Sequence, residues 1–296
     1  MIRIALDAMG GDTAPRATVE GALQAARCHG ISVVLVGDQP TLQKYLRRSR
    51  FSSELIEIVH ASQNIEMGEK ATTAARSKRD TSMRVALELL KEKKVSAVVS
   101  AGHTGAYMAT ALMILKRMPG IERPAITGRF PTLRDDTVVL DLGANVDCKA
   151  AHLVQFAQMG EAYARVVEKK ERPSIGLLSN GEERSKVNEL LRETDLALRA
   201  LPLHYVGFVE SKQVFKGKVD VVVCDGFIGN IFLKTSEGLV SMALSLIRQE
   251  IQKRWISRLA IPLFWLLFRK SLKNLGRRFD YSEYGAAPLL GLNGLV

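Results

Sequence analysis

Five stretches of this chain set glycine beside a polar or ionisable side chain. LDAMGGDTAP carries Asp7, Gly10, Gly11 and Asp12, and VVSAGHTGA carries Gly102, His103, Thr104 and Gly105. VVLDLGANVD carries Asn145, IGLLSNGEERS carries Asn180 and leads into Lys186, and VVVCDGFIGNI carries Asp225, Gly229 and Asn230. Glycine lets the backbone turn sharply and lets a ligand come close to it. Where such a loop opens a helix, unpaired N–H groups and a partial positive charge point into the same space. With amide side chains and a cation such as Lys186 added, these donors suit an oxyanion such as phosphate. Other chemistries lack their parts. There is no Gly-x-Gly-x-x-Gly or Gly-x-x-x-x-Gly-Lys-Ser/Thr nucleotide loop, and no Gly-x-Ser-x-Gly nucleophile elbow. His29, His60, His103, His152 and His204 show no metal-ligand spacing, and Cys28, Cys148 and Cys224 are too scattered for a disulfide framework. No metal and no cofactor is expected.

The elements that must position these loops follow from the hydrophobic pattern. Strand-like runs stand at 2–6, 32–36, 55–59, 95–99, 137–140, 174–178, 204–209 and 219–223. Helical spacing fills 16–29, 82–93, 151–167 and 183–201, and in 151–167 the small Gly160 sits on the apolar face with Leu153, Phe156 and Ala164. Alternation of this kind predicts an α/β fold, a three-layer arrangement with a mostly parallel sheet and helices on both of its faces. VSAVV and VDVVV read as central strands buried on both sides. In such sheets ligands bind beyond the carboxyl ends of the strands, so the five loops are expected to line one polar crevice. The whole of 1–296 is read as a single α/β domain.

Charge is concentrated near the end. Between Arg248 and Arg278 nine basic residues face one acid, Glu250, a local +8 within the chain's net +11. LAIPLFWLLF, 259–268, is ten uncharged residues inside this basic region. As a helix it would reach ~15 Å, half of the ~30 Å hydrocarbon core, and Pro262 interrupts it. The reading is a helical hairpin, 237–276, protruding from the domain. Its tip offers Trp255, Leu259, Ile261, Leu263, Phe264, Trp265, Leu267 and Phe268 to a membrane surface while basic flanks meet anionic lipid. Arg76, Lys78 and Arg79 form a second basic cluster, suited to an acidic partner. No nucleic-acid motif accompanies either cluster, so no nucleic-acid partner is expected. The N-terminus starts on a strand with no apolar signal segment, from which a cytoplasmic location is expected.

The stretches LDAMGGD, MGE with ARSKRDTSM, SAGHTGA, RPAITGRFPT, LDLGANVDCK, LLSNGEERSK and FKGKVDVVVCDGFIGNIFLKTSEGL follow one another along the chain. Together they resemble the bacterial phosphate acyltransferase family, which transfers an acyl group from acyl carrier protein to inorganic phosphate in phospholipid synthesis. The resemblance implies a fold similar to phosphotransacetylases, a homodimer, and peripheral association with the inner face of the membrane, with a glycerol-phosphate acyltransferase receiving the product. With that chemistry, Lys186, His103, Asn230 and Asp225 become the candidate catalytic residues. Gly102, Thr104, Gly105, Asn145, Asn180, Gly229, Asp7, Gly10, Gly11 and Asp12 become candidates for binding phosphate or the acyl group. Arg76, Lys78 and Arg79 would dock the carrier. His103 stands where the family has Asn, Phe208, Ser211, Lys212 and Gln213 depart from its usual pattern, and the family continues past the point corresponding to Val296. Two alternatives stand beside this reading: a short-chain acyl-coenzyme A phosphotransacylase, and a catalytically impaired relative acting at the membrane surface.

Overall fold

A computed structural model describes residues 2–49, 54–66, 68–69, 71–181, 183–253 and 287–296. Two compact units emerge: Met1–Pro124 with Pro288–Val296, and Ala125–Ala287.

The first unit alternates β1 (Arg3–Asp7), α1 (Arg16–His29), β2 (Ser32–Gly37), α2 (Gln39–Arg48), β3 (Ile56–His60), α3 (Ala71–Ser77), α4 (Ser82–Lys91), β4 (Ala97–Val99) and α5 (Thr104–Leu115). Its sheet runs β3-β2-β1-β4, and the three pairings are parallel. Period-2 alternation divides β2: Val33 and Leu35 pack with Val19, Leu23 and Leu42 of α1 and α2. Val34 and Val36 are buried on the opposite face, where α4 packs against β1 and β2. α2 begins on an Asp38 cap whose carboxylate accepts from Thr41 N at 3.0 Å, with Pro40 in the first turn. The closing segment, with the two-residue strand β10 (Leu289–Leu290), returns to this unit: Leu295 bridges Ala97, and Val98 N donates to Leu295 O at 3.0 Å.

The second unit contains β5 (Ala125–Phe130), β6 (Thr137–Leu140), α6 (Ala150–Val166), β7 (Ile175–Ser179), a 3-10 turn (Arg184–Lys186), α7 (Glu189–Arg199), β8 (Tyr205–Glu210), α8 (Ser211–Val214), β9 (Val221–Val223) and α9 (Gly226–Lys253). The order β5-β6-β9-β7-β8 is parallel except for the antiparallel β5. Leu140 and Val221 meet α6 on one face, where a Cβ at Gly160 would lie 2.6 Å from Val221 and 2.9 Å from Leu140. Val139, Val222 and Leu178 on the other face pack with Val214, Ile228, Phe232 and Leu233 of α8 and α9. Both units thus have the expected α/β character. Of the hairpin read over 237–276, only the part in α9 is described. Trp255, Leu259, Ile261, Leu263, Phe264, Trp265, Leu267 and Phe268 lie outside the described residues. Among the described residues no helix is long and apolar enough to cross a membrane.

Candidate active site

In the first unit the site is built on Asp7, the last residue of β1 and 2% exposed. A carboxylate in an apolar interior must be hydrogen-bonded, and this one is. Ser82 Oγ donates to its Oδ1 at 2.6 Å, Ser100 Oγ to its Oδ2 at 2.7 Å, and Met9 N to Oδ1 at 3.3 Å. Ser100 in turn accepts from Gly102 N at 3.1 Å, so one buried acid fixes the loop that follows β4. Glycine is needed where the two loops meet: a Cβ at Gly10 would lie 2.6 Å from Asp7 Oδ2 and 2.8 Å from Gly102 N. Gly11 adopts φ +102°, a left-handed conformation that disfavours a side chain.

α5 opens at Thr104 with His103 as its cap, whose Nδ1 accepts from Ala106 N at 3.4 Å. That is the work an Asn side chain does at a helix start, so the His preserves the cap. Thr104 and Gly105 form the first turn, and Asp12 is exposed. Tyr107 donates its hydroxyl to Val98 O at 3.1 Å; burial, then the nearby Asp7 charge, push its phenol well above the ordinary range. Of the docking candidates, Lys78 Nζ binds Glu69 at 2.5 Å and Asn64 O at 3.0 Å, whereas Arg76 and Arg79 are exposed.

The second unit has a parallel construction on Asp141, which follows β6 and is fully buried. Its Oδ1 accepts from Ile126 N at 3.0 Å, Ala144 N at 3.0 Å and Gly143 N at 3.3 Å. Its Oδ2 accepts from Asn145 N at 2.7 Å and Asn145 Nδ2 at 2.8 Å. Burial pushes the carboxyl above its ordinary range, and these N–H groups pull the other way. Asn145 therefore spends its amide N–H on Asp141 and positions the loop. Its carbonyl accepts from Gly226 N at 2.7 Å, tying the loop to the start of α9.

Asp225 caps α9, accepting from Ile228 N at 2.9 Å. A Cβ at Gly229 would fall 1.8 Å from Asp141 O, so glycine alone permits this approach. Asn230, one residue on, is exposed at the start of α9 and lies beside Gly143, where a Cβ would be 3.5 Å from that of Asn230. Asn180 and Lys186 share the loop after β7. Both are exposed, Lys186 Nζ is 3.2 Å from a Glu183 carboxylate oxygen, and its methylenes cover Gly181.

The structure thus groups Asp7, Gly10, Gly11 and Gly102 in one unit, and Asn145, Asp225, Gly229 and Asn230 in the other. Sequence reasoning passed over Ser82, Ser100, Asp141 and Gly226. The signal for Asp141 was present: an acid that directly continues the apolar run VVL. Among the described residues no His, Cys, Asp and Glu group is arranged to hold a metal ion.

Over residues 2–296 the sequence matches the family described as fatty acid synthesis protein. It is 53% identical over 294 residues to the phosphate acyltransferase of Pelobacter propionicus, covering 99% of this chain and 84% of that protein. It is 52% identical over 295 residues to the phosphate acyltransferase of Geobacter sulfurreducens, covering 100% and 84%. Among solved structures, a phosphotransacetylase from Streptococcus pyogenes superposes with a TM-score of 0.63 at 17% identity, covering 81% of this chain and 82% of that one. A phosphotransacetylase from Staphylococcus aureus gives a TM-score of 0.58 at 16% identity, with 81% and 82% covered. These structures share the fold, while half of the residues are shared with the acyltransferases across nearly every position. The chain belongs to the fatty acid synthesis protein family, among the bacterial phosphate acyltransferases.

Proposed function

We propose that this protein moves a fatty acyl group from acyl carrier protein to inorganic phosphate, yielding acyl phosphate for phospholipid synthesis. The observation that carries the reading is the 53% identity to a phosphate acyltransferase over 294 residues. The buried acids support it, because each locks a glycine-bearing loop at the start of a helix, Asp7 before α5 and Asp141 before α9.

Phosphate is already an anionic nucleophile, so no Ser or Cys nucleophile is required. One phosphate oxygen attacks the thioester carbonyl, the C–O bond forms, and a tetrahedral oxyanion appears. Collapse breaks the C–S bond and releases the carrier thiolate, which takes a proton from solvent or a nearby acid. Pre-set N–H groups contribute most where the oxyanion develops. On the first unit Thr104 and Gly105 are proposed donors beside Gly102, whose loop Asp7 holds; on the second unit Asn230 is proposed, with Asp225 and Asn145 holding its loop. Lys186, released from Glu183, supplies positive charge to phosphate or to the departing thiolate. Arg76 and Arg79 attract the acidic carrier. A cytoplasmic homodimer resting on the inner membrane face through the apolar residues between Trp255 and Phe268, passing its product to a glycerol-phosphate acyltransferase, completes the proposal.

The test is release of carrier thiol from palmitoyl-acyl carrier protein with and without phosphate, with hydroxylamine trapping of the product. Phosphate-dependent release of a trappable acyl phosphate is expected. Release that ignores phosphate would point to a thioesterase, and no release from folded protein would leave the reading without an activity.

A further inference from the structure

The donor-rich loops account for the reacting groups of such a transfer but offer nothing to a long hydrocarbon tail. A cavity of about 570 Å³ lies elsewhere on the second unit, along α9. Its size falls in the usual range for small-molecule sites, roughly 300–1,000 Å³. Phe130, Phe215 and Phe232 form its floor, with ring centroids 5.0, 5.3 and 6.4 Å apart. Leu233, Val240 and Leu244 line it along the helix.

The charged groups at its rim are already engaged. Arg129 pairs with Asp136 at 2.8 Å and Glu168 at 2.9 Å, and Glu237 pairs with Lys234 at 2.9 Å. Ser236 Oγ donates to Phe232 O at 2.7 Å. What remains for an occupant is apolar area: Phe215 is 38% and Leu244 55% exposed.

Length and position select the occupant. From Phe232 to Leu244 the helix advances about 18 Å at ~1.5 Å per residue. A fatty acyl chain fills one leaflet, half of the ~30 Å hydrocarbon core, or about 15 Å. The groove begins at Phe232 and Leu233, within one helical turn of Gly229 and Asn230, so it continues from the proposed reacting centre along the same helix. We propose that this groove holds the acyl chain of the substrate, with the thioester end towards Asn230 and the methyl end towards Leu244. The proposal rests on the acyl-transfer reading above.

The test compares kcat/KM for octanoyl- and palmitoyl-acyl carrier protein in the wild-type chain and in Val240→Trp and Leu244→Trp. Each buried methylene is worth about a four-fold factor, so an indole displacing two of them lowers the palmitoyl-to-octanoyl ratio about ten-fold or more. A wild type inactive on every chain length would count against the acyl-transfer reading itself. An active wild type whose length preference survives both substitutions would overturn the groove assignment alone. Equal loss on all lengths, with a change of oligomeric state in sedimentation, would instead identify a contact between copies and overturn it too. A second measurement needs no variant: a palmitoyl chain carrying a diazirine near its methyl end should label the peptide containing Val240 and Leu244. Labelling confined to other peptides rejects the proposal.

Discussion

Two buried carboxylates, Asp7 and Asp141, organise the residues around them. Asp141 accepts N–H groups from four residues, and replacing it with Asn turns one acceptor oxygen into an NH2 aimed at those donors. Asp141→Asn should therefore cost about 1–3 kcal/mol, read as a fall in the urea midpoint at constant slope. His103 makes a different prediction. If its worth is the helix cap, His103→Asn keeps stability and His103→Ala loses about 1 kcal/mol. Equal losses in the two variants would mean that the imidazole does something beyond capping. Lys186 is assigned to the proposed chemistry, and its ammonium lies in an exposed ion pair 3.2 Å from Glu183. Lys186→Ala should lower kcat about 100-fold, the scale of one lost transition-state donor, with little change in melting temperature. Normal turnover would remove it from the mechanism.

Elements respond to packing and to charge. Gly160 of α6 lies so close to Val221 and Leu140 that Gly160→Ala forces the helix away from the sheet, at a cost of about 1–3 kcal/mol even though Ala favours helices. Calorimetry of that variant decides whether packing outweighs propensity. The start of β9 carries a pH dependence. Burial works against ionisation of Asp220, yet the Ser174 hydroxyl and N–H, at 2.7 and 2.8 Å, and the Lys170 ammonium hold its carboxyl below the ordinary value of 3.8. A lowered folded value gives stability that is present above 3.8 and is lost as pH falls through the folded value. Asp220→Asn should be about 1 kcal/mol less stable at pH 7 and lose less on acidification than the wild type.

Much of this element layer was readable. Eight strands recur where apolar runs predict them, and α1 matches its expected bounds. β5 escaped because Gly128 and Arg129 interrupt its apolar pattern; the glycine is there because Leu142 would lie 2.5 Å from a Cβ. The loop residues were readable as a set, but Ser82 and Ser100 were not readable as partners of Asp7. Ser82 lies seventy-five residues away from it in sequence, and only the parallel sheet brings the three together.

For the whole molecule, the proposed electrostatic docking of the carrier can be tested directly. Arg76 and Arg79 are exposed on the first unit, so reversing both to Glu should raise KM for acyl carrier protein several-fold and leave kcat nearly unchanged. Salt should shrink the difference, because exposed charges are screened beyond ~10 Å at 0.1 M ionic strength. A defect that persists at high salt would argue against electrostatic docking.

The return of residues 288–296 to the first unit has a consequence in time. The second unit is continuous in sequence, whereas the first holds a strand edge at Ala97 and Val98 that waits for Leu295. During synthesis the first unit therefore keeps an unfinished sheet until residues 288–296 have been made. Closing that loop costs entropy that grows only slowly with length, so the delay is set by translation more than by chain search. Residues 288–296 thus act as a latch on a unit whose other parts were made first.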